Sequence, residues 1–94
     1  MTNSNDCGKH PRDLFGETDM KKAAEAIGDL HYEVLADLFK HLSNKLKQDS
    51  RKDWAGSRVK LANRLKIAST HIKAAFTYIN EAWQISKPFM DGKQ

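Results

Sequence analysis

Between Arg58 and Lys87, apolar residues recur on two faces of what the spacing predicts to be a single long helix. Leu61, Leu65, Ala68, Ile72, Ala75, Phe76, Ile79 and Trp83 follow one another at the interval that lines one side of an α-helix. A stripe of this kind is an ordinary core face. Ile67, His71, Ala74, Tyr78 and Ile85 repeat the interval on roughly the opposite side. A helix that is apolar on two sides needs two neighbours, and the chain supplies only one other long helical segment. The second neighbour is therefore expected to be another copy of the chain or a different protein. The competing explanation is a scatter of surface apolars, since Ala74 is neutral, His71 and Tyr78 are amphipathic, and lone exposed isoleucines are common.

The other segment is expected to be helical from about Asp19 to Lys47, with Thr18 or Asp19 accepting the first free backbone N–H groups. Ile27, Leu30, Val34, Leu38, Leu42 and Leu46 form its stripe, widened by Leu35 and Phe39 on one flank and by Ala23 and Ala26 on the other. Gly28 interrupts it at a cost of about 1 kcal/mol relative to alanine. Ser50 with Asp53 resembles a capping box, which places the turn at Gln48 and Asp49 and opens the second helix near Arg51. Gly56 and Ser57 offer an alternative turn, with Ser57 as the cap. Pro88 disfavours helical geometry at Lys87 and is expected to close the second helix there.

Joined by so short a connection, the helices must fold back as an antiparallel pair. The expected fold is all-α, a long antiparallel helical hairpin over residues 13–88 (helices about 19–47 and 51–87) that dimerises into a four-helix bundle. The second helix would sit centrally, with its second stripe across the dimer axis. Residues 1–12 read as a flexible polar tail and 89–94 as a short one, while Leu14 and Phe15, in a turn between Pro11 and Gly16, are expected to dock on the helices.

A chain of 94 residues is one small domain, marginal without disulfides, metals or oligomerisation. The single Cys7 precludes an intrachain disulfide and suits a reducing, cytoplasmic compartment. No apolar run is long enough to span a bilayer and the N-terminus is polar, so neither a membrane span nor a leader is expected. Cys7 and His10 have the spacing of half a zinc site, but no second close pair completes it, and no metal or cofactor is expected. His31 falls within the first helix's stripe and reads as a hydrogen-bonded histidine at a helix interface. Asp29, Glu33 and Asp37 read as a solvated acidic face. No nucleophile has supporting context and no glycine-rich phosphate loop occurs, so catalysis is not expected.

The formal net charge of +4 is unevenly placed. Acids predominate from Asp13 to Asp37 and bases from Lys40 to Lys66. Within the basic middle, Trp54 sits among Arg51, Lys52 and Arg58, with Lys60 and Arg64 one turn apart. A tryptophan so flanked can anchor a protein partner or stack on an unpaired base. The expected function is a non-enzymatic interaction module, a small regulator or inhibitor docking on a larger assembly. Size and cationic composition would fit a phage or mobile-element accessory acting on a nucleic-acid-processing enzyme. The alternatives are direct nucleic-acid binding without sequence preference, through Arg51, Lys52, Trp54, Arg58, Lys60 and Arg64, and a purely structural assembly subunit.

Overall fold

A computed structural model of the protein describes residues 10–90. Among these residues the structure is helical: α1 (Met20–Gly28), α2 (Tyr32–Ala55) and α3 (Val59–Met90), with no strand beyond one isolated β-bridge. The chain divides into two compact units, residues 1–30 and 31–94.

In the first unit, Leu14 and Glu17 exchange both backbone hydrogen bonds, at 2.8 and 2.9 Å. The residues between them, Phe15 and Gly16, have φ of 51° and 91°, the mirror-image turn that suits a tight hairpin. Asp13 Oδ2 accepts the Gly16 N–H at 2.8 Å and braces the turn. Phe15 is at the tip and 99 % exposed, contrary to the expectation that it docks, because the two bonded flanks leave the tip side chain pointing outward. Asp19 is the N-cap of α1, its carboxylate accepting from the N–H groups of Lys21 and Lys22.

The single first helix expected over about 19–47 is in fact two. α1 stops at Gly28, Asp29 caps it, and the backbone N–H of Leu30 turns back to the Ile27 carbonyl at 3.1 Å. The helix then restarts on His31, whose Nδ1 accepts the Glu33 N–H at 3.1 Å. Glycine weakens the helix at this point, and a histidine able to accept a first-turn N–H makes the break cheap. His31 is thus hydrogen-bonded, as expected, but as the cap of α2 instead of a residue within a continuous helix.

The interhelical turn lies later than Gln48 and Asp49. α2 continues through Ser50, which is buried, and ends at Ala55. Serine and aspartate can cap a helix, but here continuing it gives Ser50 a partner across the hairpin. At Gly56–Arg58, Ser57 N donates to the Trp54 carbonyl at 3.0 Å and Arg58 N to the Asp53 carbonyl at 2.8 Å. That pair of bonds is the Schellman ending, which requires a left-handed residue after the cap. Ser57 fills that place at φ 67°, so it does not cap α3; the first intrahelical bond of α3 is accepted by the Arg58 carbonyl. Gly56 leaves room for Arg58, since a Cβ there would meet its guanidinium at 2.6 Å. Arg58 Nε donates to Asp53 Oδ1 at 2.7 Å and clamps the turn. Ser57→Gly should raise stability by about 1 kcal/mol, the cost of a left-handed non-glycine residue, read as a higher urea midpoint. A lower midpoint would mean that the serine side chain contributes more than its backbone strain costs.

At the other end α3 passes through Pro88 to Met90 instead of stopping at Lys87. A proline in the final turn forfeits a single backbone bond, and the remaining ones carry the helix past it.

Candidate functional site

The geometry of the second unit follows from the seam between α2 and α3. Ala36, Ser43 and Ser50 are the buried residues of α2, and Ala62, Ser69 and Trp83 those of α3. The α2 series keeps a heptad interval, the repeat that holds one side of a helix against a partner. In α3, Ala62 and Ser69 are one heptad apart and Trp83 lies two heptads beyond Ser69, with half-buried Phe76 between. Ser43 Oγ donates to the Ser69 carbonyl at 2.9 Å and Ser69 Oγ to the Ser43 carbonyl at 2.9 Å. Ser50 Oγ donates to the Ala62 carbonyl at 2.6 Å. A serine hydroxyl is short, so reaching the main chain of the opposite helix requires the axes to be close, about 8 Å apart. These bonds also fix the antiparallel register, with Ser43 opposite Ser69 and Ser50 opposite Ala62.

A seam of small residues pushes the large ones aside, and in this register they go the same way. Reversing a helix reverses its apparent sense of rotation, so positions displaced in the same angular direction fall on one side of an antiparallel pair. From α2, Phe39, Leu46, Leu35 and Leu42 lie on that side; from α3, Leu65, Ile72, Ile79, Leu61, Ala68 and Ala75 do. Among the described residues no large side chain is fully buried, and Leu42 and Leu61 remain 40 % and 48 % exposed. The stripes read from the sequence are therefore real in spacing, but apart from buried Trp83 and half-buried Phe76 their large residues flank the contact instead of filling it.

The second stripe is exposed along its length. Tyr78 and Ile85 are 70 % and 72 % exposed, and Ile67, His71 and Ala74 are exposed too. By helical angle, His71, Tyr78 and Ile85 extend the apolar side around the back of α3, while Ile67 and Ala74 lie nearer the polar side. The basic cluster is dispersed. Arg58 is held by Asp53, Trp54 is exposed beside the turn, and Arg51 lies on the polar side of the hairpin. Lys52, Lys60 and Arg64 project outward at other angles.

His31 and Trp83 meet at the far end, with ring centroids 4.6 Å apart and planes tilted by 58°. Lys87 Nζ sits 5.9 Å over the same indole. Among the described residues, no group of three or more His, Cys, Asp or Glu side chains gathers as a metal ion would require, and Cys7 lies outside them. No helix among them is long and apolar enough to cross a membrane.

Fold and surface together define the second unit as an antiparallel helical hairpin with one apolar and one polar side. No family model, curated protein or solved structure matches the chain.

Proposed function

We propose that the protein is a non-enzymatic protein–protein interaction module, which pairs with a second copy through its apolar side and acts as a small regulator by docking on a larger assembly. The observation behind this reading is that most of the leucines and isoleucines of both helices lie to one side of a seam occupied by Ala36, Ser43, Ser50, Ala62 and Ser69, and that Leu42 and Leu61 on that side stay partly exposed. Each such side chain contributes about 1.5 to 3 kcal/mol when fully buried. Two hairpins laid apolar side to apolar side form a four-helix bundle, the usual arrangement for such faces. Tyr78 and Ile85 extend the same surface, and exposed Trp54 with Arg51 and Lys52 remains available at the turn for a different protein.

Light scattering should then give twice the 10.7 kDa chain mass at micromolar concentration. Leu42→Glu with Leu61→Glu, both at partly exposed positions, should return it to one chain with helicity retained in circular dichroism. A single-chain mass for the unaltered protein at every concentration sinks the self-pairing. Trp54→Ala that leaves capture of a cellular protein undiminished removes the turn as the docking point.

A further inference from the structure

The opposite side of the hairpin carries a pattern that the sequence divides between two helices. Lys40 and Lys47 of α2 lie one heptad apart, just beside the seam on its polar side; Lys66 and Lys73 of α3 do the same. The register set by Ser43 and Ser69 brings Lys40 opposite Lys73 and Lys47 opposite Lys66. Two lysine pairs thus face each other across the groove, about 10.5 Å apart along it at the helical rise of about 1.5 Å per residue. In antiparallel helices these are the positions where opposite charges would stabilise the pairing. Like charges there oppose it. All four lysines are exposed, and none takes part in an ion pair among the described residues. Asn44 and Arg51 of α2, and Asn63 and Thr70 of α3, flank them; Asp37, one turn before Lys40 and paired with His41, is the carboxylate on that flank, at the end away from Lys47 and Lys66.

We propose that this groove binds the phosphate backbone of a nucleic acid without reading its bases. The chemistry separates this ligand from an acidic protein. Protein interfaces are centred on apolar and aromatic residues and are depleted in lysine, whereas the middle of this groove is lysine, asparagine and threonine, the groups that contact phosphates. The surface is distinct from the apolar side, so self-pairing there leaves it open.

Fluorescence anisotropy with a short fluorescein-labelled DNA duplex, on the full chain over a salt series, tests this. Neutralising four to five phosphates predicts a log–log salt slope near −4, with affinity falling about 250-fold between about 50 and about 200 mM salt. Lys47→Gln with Lys66→Gln should lower the slope by about 2, and the fourfold glutamine variant should weaken binding at least about tenfold at the lower salt. Lys52→Gln with Lys60→Gln, on other sides of the hairpin, should change neither. Circular dichroism melts establish that each variant is folded. Absence of duplex binding at low salt overturns the proposal, as does equal binding of polyglutamate. A slope that follows Lys52 and Lys60 instead places the site at the hairpin end and overturns it equally.

Discussion

Ser43→Leu should destabilise the hairpin by about 3 kcal/mol or more, whereas Ser43→Ala should cost only about 1 kcal/mol. The difference comes from where Ser43 sits. Its hydroxyl donates to the Ser69 carbonyl, and the Ser69 hydroxyl returns the bond to the Ser43 carbonyl. Alanine removes one hydrogen bond and leaves the axes where they are. Leucine cannot fit between two backbones about 8 Å apart, so the helices must separate and the neighbouring bond from Ser50 to the Ala62 carbonyl is strained with them. Ser69→Leu should behave alike for the same reason. The two alanine changes together should depart from additivity, because each hydroxyl is also 3.3 Å from the other. Urea unfolding followed by circular dichroism measures all of these. A leucine variant as stable as the parent would show that the seam is wider than these bonds require.

The second large effect concerns the two tryptophans, which composition alone treats as equals. Trp83→Ala should cost about 4 kcal/mol, the usual loss for deleting a buried indole. Trp83 is 6 % exposed, against 64 % for Trp54. Its removal also strips the packing from the ring of His31, which caps α2, and from the cation at Lys87. Trp54→Ala should alter stability by no more than about 0.5 kcal/mol, as surface changes generally do. Fluorescence separates them without ambiguity: the single-tryptophan protein that retains Trp83 should emit further to the blue and resist acrylamide quenching. Equal emission maxima would contradict the burial described for Trp83.

Much of the fold is legible from local pattern. The helical interval of the apolar residues, Asp19 at a helix start and glycine at a helix end act through neighbours a few residues away, so they are readable without knowing what packs against them. Other points hinged on competing local signals. Ser50 and Asp53 look like a capping box, yet Ser50 has a use inside the helix that only the opposite helix of the hairpin reveals, namely the Ala62 carbonyl. His31 was expected in the stripe because a helical wheel assumes an unbroken helix, and Gly28 breaks it.

The sequence by itself determined that the chain is helical, that its long C-terminal helix carries apolar residues on more than one flank, and that its bases collect in the middle. Those are properties of residue type and spacing along one chain. Only the tertiary structure decided that the contact runs through alanine and serine instead of leucine and isoleucine, because hydrophobicity scales reward large side chains and say nothing of how closely two backbones approach. Once that seam is set, the antiparallel register follows, and register alone sends most of the leucines and isoleucines to one side. The same register brings Lys40 opposite Lys73 and Lys47 opposite Lys66, residues that are 33 and 19 positions apart in the chain.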